Sequence, residues 1–186
     1  MIQITGGKFK QKKLASINDF VRPTSSLKRE AFFSIIESYA IKNSIELYKN
    51  KIFLDLFAGI GTMGLEAISR GMSKVIFFEN NFEVLKILRK NCLGICKSDQ
   101  FTIYEEDLIN SKLEIEFKNI SVVYFDPPYA KYNLTKLLEN LSINIKNTTL
   151  IGLETSVKDN IVIPENFNLL QKKTYGKTII YFFKLS

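Results

Sequence analysis

The sequence contains no histidine and only two cysteines, Cys92 and Cys96. Without an imidazole, Ser-His-Asp and Cys-His hydrolase chemistry is excluded. Two thiols four residues apart supply at most half of a metal site, and no further ligands accompany them, so no metal is expected. Both read as free thiols, buried or half-buried, that pack like small hydrophobes. Linkers, internal repeats and low-complexity tracts are also missing. No apolar run approaches the roughly 18 residues needed to cross a bilayer; the longest candidate, residues 179–183, is strand-sized. The N-terminal lysines precede no apolar signal-peptide core. A cytoplasmic chain with no membrane partner is therefore expected.

What is present fits one globular domain with a small appendage: 186 residues, 46% hydrophobic and 24% charged, long enough to bury a core. The net charge is +7 and is unevenly spread. Residues 1–30 hold Lys8, Lys10, Lys12, Lys13, Arg22, Lys28 and Arg29 against Asp19 and Glu30, which leaves +5 of the total in this segment. A basic terminal stretch suits a polyanion, because Lys and Arg beside phosphates release counterions. Charge alone equally suits a solvated, lysine-rich face.

Along the chain, residues 2–14 read as two short extended pieces around Gly6-Gly7. Arg22-Pro23-Thr24 forces an extended turn, since the residue before proline avoids the helical region. A helix is predicted over 25–40, capped by Thr24, Ser25 or Ser26. Its apolar stripe is Leu27, Ala31, Ile35 and Tyr39, widened by Phe32 and Ile36. From residue 51 short apolar runs alternate with helical stretches. Strands are expected at 52–57, 75–78, 101–104, 122–125 and 150–153. Helices are expected up to Arg70 (closed by Gly71), over 82–93 (stopped by Gly94) and over 134–145. This alternation predicts βαβ units and a parallel sheet buried on both faces. Runs 168–174 and 178–184, separated only by Tyr175-Gly176-Lys177, predict a terminal antiparallel hairpin. The expected fold is α/β, of the class I (Rossmann-like) methyltransferase type. It has a mostly parallel seven-stranded sheet, a C-terminal antiparallel hairpin and a short N-terminal β/helix extension. Residues 1–40 form the extension and 41–186 the main domain.

Between the first core strand and its helix lies Asp55-Leu-Phe-Ala-Gly59-Ile-Gly61-Thr-Met-Gly64. Gly59 and Gly61 permit positive φ and a close approach of backbone to ligand. Glycine spacing alone would equally suit a dinucleotide enzyme. Three carboxylates favour S-adenosylmethionine. Asp55, at the loop entrance, would repel a pyrophosphate but suits a cationic amino group. Glu79 ends the next strand, where it can accept from both ribose hydroxyls. Asp107 follows the third strand, where it can accept from the adenine amino group, with Glu105 and Glu106 as competitors. All three fall at carboxyl ends of successive parallel strands, the edge where open α/β sheets bind ligands. Phe57, Asn80 and Leu108, beside these positions, complete the expected cofactor set together with Gly59 and Gly61 of the loop and Asp126 after the fourth strand. Glu66 and Arg70 read as packing and solvation residues.

The run 122–125 leads directly into Asp126-Pro127-Pro128-Tyr129, which holds two of the four prolines. This turn is rigid and short of N–H donors. Methylating an exocyclic amine demands orientation more than acid–base power. The Asp126 carboxylate and Pro127 carbonyl can accept from an –NH2 group as positive charge develops, while Pro128 stiffens the turn and Tyr129 offers a ring for base stacking. A base inside a duplex is out of reach, so the target must be unpaired or flipped out. A C5-methyltransferase needs a cysteine nucleophile near this turn; neither Cys92 nor Cys96 is near it in sequence.

Taken together, these residues resemble the RsmD family of bacterial methyltransferases, which modify N2 of a guanine in 16S ribosomal RNA. The resemblance covers nearly the whole chain. It rests on Ile4-Thr-Gly6-Gly7-Lys-Phe-Lys, Arg22-Pro-Thr24 with Arg29-Glu30, the glycine loop, Gly64-Leu-Glu-Ala-Ile-Ser-Arg-Gly71, Asp126-Pro-Pro-Tyr129 and Tyr175-Gly-Lys-Thr178. It implies an S-adenosylmethionine site at Asp55, Gly59, Glu79 and Asp107, and target-amine binding at 126–129. It also implies an RNA-contacting N-terminal segment, Arg22 and Thr24 near the pocket, and a monomer. The family often has serine where this chain has Ile60. RNA contacts are accordingly expected at Lys8, Lys10, Lys12, Lys13, Arg22, Thr24, Tyr129 and Lys177, with 16S rRNA or a small-subunit assembly particle as partner. Competing readings are a DNA adenine-N6 methyltransferase, which usually carries an added target-recognition domain, and a non-catalytic RNA-binding assembly factor. A glutamine-N5 protein methyltransferase has Asn in place of Asp126.

Overall fold

The computed structural model describes residues 2–16, 25–108, 113, 115–128, 132–159 and 161–186. Arg22, Thr24 and Tyr129 lie outside the described residues. In chain order the elements are α1 (Ser26–Lys42), β1 (Ile52–Leu56), α2 (Thr62–Arg70), β2 (Lys74–Phe78), α3 (Phe82–Ile95), β3 (Phe101–Tyr104), β4 (Ile120–Phe125), α4 (Leu134–Ser142), β5 (Leu150–Ser156), β6 (Phe167–Tyr175) and β7 (Thr178–Leu185). The strands form one seven-stranded sheet ordered β3-β2-β1-β4-β5-β7-β6. Pairs β3-β2, β2-β1, β1-β4 and β4-β5 are parallel; β7 runs antiparallel to both β5 and β6. The chain order reverses between β1 and β4, which opens a crevice at their carboxyl ends.

The pleat divides the core in two. Phe53, Val75, Phe77, Val122, Tyr124 and Leu150 face α1, α2 and α3. Leu54, Ile76, Val123, Ile151 and Leu153 face Leu137, Leu138 and Leu141 of α4. Strands buried on both sides explain the near-continuous apolar runs.

Several boundaries differ from the sequence expectations. Helix α3 runs through Gly94 to Ile95, because a lone glycine in a helix costs only about 1 kcal/mol relative to alanine. Helix α4 stops at Ser142, short of Ile145. The N-terminal segment forms a single bridge, Gln3 to Lys13, around a turn rather than two paired strands. In α1, capped by Ser25 as expected, the buried face is Arg29, Phe32, Phe33, Ile36 and Ala40. The expected stripe lies on its flank, and Leu27 is 67% exposed. The two phenylalanines carry the largest apolar surface and set the rotation of the helix.

A buried arginine so placed needs a counter-charge, and Glu66 of α2 supplies it. Both side chains are almost wholly inaccessible, and Arg29 Nε lies 3.2 Å from Glu66 Oε2. Glu66 also accepts from Thr5 N, Thr5 Oγ1, Gly6 N and Arg70 Nε at 2.7–2.9 Å. The reading of Glu66 as a packing residue holds; solvation does not. Gly7, at φ +73°, approaches so closely that a Cβ there would sit 1.9 Å from the Ser69 carbonyl oxygen. The Gly6-Gly7 pair thus docks the N-terminal turn onto the end of α2, while Arg29 donates to the Gln3 carbonyl at 2.6 Å.

Candidate active site

At the crevice lies a cavity of about 500 Å³. Its walls bring together Asp55, Phe57 and Gly59 from the end of β1, Glu79 and Asn80 from the end of β2, Leu108 after β3, and Asp126, Pro127 and Pro128 after β4. These were separate sequence candidates spread over more than 70 residues. Geometry makes them one site.

The loop after β1 is fixed from three sides. Phe57 leaves the strand at φ +69°, a conformation that is an outlier for a bulky side chain and typical of ligand-binding loops. Its ring meets that of Tyr132 edge-on, with centroids 4.6 Å apart. Asp55 Oδ2 accepts from Gly64 N at 2.9 Å, and Glu79 Oε2 accepts from Gly59 N at 2.9 Å. The other Glu79 oxygen accepts from the Asn80 and Asn81 amides. Buried Asn91 donates to the Ile60 carbonyl at 3.0 Å and exchanges hydrogen bonds with Ala15. The loop is therefore tied to the N-terminal segment as well as to the sheet.

Gly59 and Gly61 both have positive φ, as expected. Only Gly59 lines the cavity. A Cβ on Gly61 would meet Leu88 Cδ1 at 2.5 Å, so close helix packing, not ligand approach, explains that glycine. Of the three competing carboxylates after β3, Glu106 lines the cavity. Glu105 pairs with Arg89 on the surface, and Asp107 accepts from the Tyr132 hydroxyl at 3.2 Å.

Sequence reasoning missed Lys28, Tyr124, Tyr132, Glu154 and Thr178, all on the cavity wall. Lys28 projects from the first turn of α1 and pairs with Glu154, which is 2% exposed. Tyr124 donates to the other Glu154 oxygen at 2.7 Å. A pattern signal existed: Glu154 is an acidic residue inside the apolar run of β5, and buried charge demands a partner. Nothing in sequence says that the partner is 126 residues away.

The electrostatics favour a cation. Burial pushes the Asp55 carboxyl up to about 7, helped by the Glu79 charge and opposed by the hydrogen bond that the Gly64 amide donates to it. Burial, then Glu154, push Asp126 up to about 8, with Lys28 opposing and Asp55 adding slightly. Carboxylates that raise one another's proton affinity are relieved by a positive ligand and oppose a pyrophosphate. The donor set fits S-adenosylmethionine: acidic groups for its ammonium and sulfonium charges, and Glu79 and Glu106 as acceptors for hydroxyl and amino groups.

The lysines at 8–13 sit elsewhere. Their turn docks on Ser69, near the end of α2, and Lys12 bonds the Gly94 carbonyl near the end of α3. Nine-residue α2 spans about 14 Å at 1.5 Å per residue, and it separates this turn from the glycine loop at the helix start. Lys8, Lys10, Lys12 and Lys13 are exposed and are not on the cavity wall. Lys177 is exposed in the β6–β7 turn, next to the wall residue Thr178. Among the described residues no cluster of three or more potential metal ligands occurs, and no helix is long and apolar enough to cross a membrane.

A sheet of this order, with carboxylates and an Asp-Pro-Pro turn gathered at its reversal point, defines a class I, Rossmann-like methyltransferase. Comparison with known proteins then gives the family. The model described as Conserved hypothetical protein 95 matches residues 2–184. Ribosomal RNA small subunit methyltransferase D of Haemophilus influenzae is 30% identical over 182 residues, 94% of this chain and 89% of that protein. The chain belongs to this family. The solved structure of yhhF from Escherichia coli superposes with a TM-score of 0.82 at 24% identity, covering 100% of this chain and 98% of that one. An RNA methyltransferase from Salinibacter ruber, solved with S-adenosyl-L-homocysteine, shares the fold at TM-score 0.63 and 14% identity, with 88% and 94% covered.

Proposed function

We propose that this protein uses S-adenosylmethionine to methylate the N2 amino group of a guanine in small-subunit ribosomal RNA. The observation that carries the reading is the convergence of Asp126 and Pro127 with the glycine loop on one cavity at the sheet's reversal point. Asp55, Gly59, Glu79 and Glu106 are the residues that hold the cofactor, with Phe57, Asn80 and Leu108 beside them. When bound, S-adenosylmethionine supplies an electrophilic methyl group on a sulfonium. Asp126 and the Pro127 carbonyl orient the amine and stabilise the positive charge that develops on its nitrogen. Asp126, hydrogen-bonded to the amine, also takes up the proton that the methylated nitrogen must lose. Residues 1–40 serve as an RNA-binding extension on a catalytic domain of 41–186, with Lys8, Lys10, Lys13 and Lys177 meeting phosphates. The active unit is a monomer without metal.

The test is methyl transfer from labelled cofactor to small-subunit RNA from cells lacking the gene. Label on a guanine is expected. Label confined to DNA, with methyladenine as product, would replace this reading with that of a DNA adenine methyltransferase. Calorimetry that detects no cofactor binding would support an inert assembly factor.

A further inference from the structure

We infer that Lys28 and Glu154 read the Watson–Crick edge of the target base and so select guanine over other amino-bearing bases. The inference rests on the reading of the site as an amino methyltransferase and adds residues that determine its specificity.

Three observations converge. First, Asp126 follows Phe125 and Glu154 follows Leu153, and Phe125 and Leu153 are paired neighbours in the parallel sheet. The two carboxylates therefore lie side by side, Asp126 just past the end of β4 and Glu154 within β5. Both line the same cavity as Tyr124, which bonds Glu154 directly. Second, Lys28 is the one cation among the described residues lining the cavity, and it is delivered by α1, outside the sheet. Third, α1 is packed to make that reach possible. A Cβ on Gly152 would lie 2.2 Å from the Phe32 ring, and Phe32 stands one helical turn beyond Lys28. Arg29, next to Lys28, is anchored in the core by Glu66.

The wall thus offers a donor at Lys28, an acceptor at Glu154 and a further acceptor at Asp126. Guanine presents the complement along one edge: the O6 acceptor, the N1–H donor and the N2 amino donor. Lys28 has three N–H donors and uses one on Glu154, while each Glu154 oxygen retains a second lone pair. Adenine and cytosine place a lone pair, not a proton, next to their exocyclic amine. That lone pair would face the Glu154 carboxylate. A buried polar group left unpaired or opposed by like charge is what gives a site strong discrimination.

The experiment uses the full chain and small-subunit RNA in which the methylated guanine, located by mass mapping, is replaced by 2,6-diaminopurine. This base keeps the reacting N2 amine but exchanges O6 for an amino group and N1–H for a lone pair. Wild-type enzyme is expected to prefer guanine by at least about 100-fold in kcat/KM. Glu154→Gln, whose amide can donate to the unprotonated N1, is expected to shrink that ratio at least tenfold while still binding cofactor. If the single variant fails to fold, Lys28→Met/Glu154→Gln removes both charges together and carries the same expectation. Equal use of both bases by wild type, or an unchanged ratio in a folded variant, overturns the inference. No transfer to the guanine RNA at all would instead sink the parent reading.

Discussion

At the scale of single residues, the site is a set of carboxylates kept short of counter-charge, and pH should expose this. Burial and Glu154 hold Asp126 near 8, and burial and Glu79 hold Asp55 near 7. A carboxyl whose folded pKa lies above its unfolded one binds more protons in the native state. Its contribution to stability is full below the ordinary carboxylate pKa of about 4 and is lost as pH rises through the folded value. The ligand-free protein is therefore expected to lose thermal stability between pH 5 and pH 8.5 (roughly the window set by those values), and Asp126→Asn should flatten that slope. An unchanged slope would show that Asp126 already ionises in the acid range. Catalysis has the opposite sign. The orienting carboxylate must be charged, so kcat/KM is expected to rise with pH and level off above about 8. Asp126→Ala should cut transfer by at least about 100-fold, the loss typical of a transition-state hydrogen-bonding group. Cofactor binding measured by calorimetry should survive it. The sequence made Asp126 legible because an acidic residue beside two prolines has few structural explanations. Lys28 and Glu154 were hidden because their meaning lies in a contact 126 residues apart.

Among the elements, the N-terminal turn and α1 are the ones whose role sequence periodicity misjudged. Regular spacing placed Leu27 inside, whereas the turn of α1 follows Phe32 and Phe33, which pack on Phe53, Phe182 and Tyr124. The core strands were legible because burial on both faces leaves apolar runs that no other element explains. Helix ends were legible only in part: Ser25 caps α1 and Gly71 closes α2 as expected, but Gly94 is tolerated inside α3. Element docking rests on Glu66, whose carboxylate joins α1, α2 and the N-terminal turn. Glu66→Ala would leave Arg29 charged and buried, so it is expected to cost about 3–5 kcal/mol in urea unfolding. A change below 1 kcal/mol would show the network to be dispensable. Gly152→Ala forces Phe32 away from β5 and is expected to destabilise by about 1–3 kcal/mol. It should also depress methyl transfer more than cofactor affinity, because it moves α1 and Lys28 but not the glycine loop. Parallel losses in both would contradict the link between α1 and the target side of the cavity.

For the whole molecule, the distribution of charge separates affinity from chemistry. The lysine turn and the cavity lie at opposite ends of α2, so an RNA that engages both must run across the face of the protein. Converting Lys8, Lys10 and Lys13 to Gln is expected to weaken RNA binding and reduce the salt slope by up to about 0.9 per lost phosphate contact, with kcat at saturating RNA unchanged. Unaltered affinity and slope would mark these lysines as merely solvated. Fold class and the positive φ of Gly59 and Gly61 in the loop after β1 could be read from sequence because both depend on local pattern. The Lys28–Glu154 wall of the cavity could not, because tertiary packing of α1 builds it. The central claim, that the Asp-Pro-Pro turn delivers a guanine amine to the cofactor cavity, is tested most directly by mass mapping of small-subunit RNA from cells lacking the gene. The RNA is compared with that from cells complemented by wild type or by Asp126→Ala. One guanine is expected to lack its N2 methyl group in the deletion strain, to regain it with wild type and to stay bare with Asp126→Ala. Full restoration by Asp126→Ala, or a missing methyl on any base other than guanine, would contradict it.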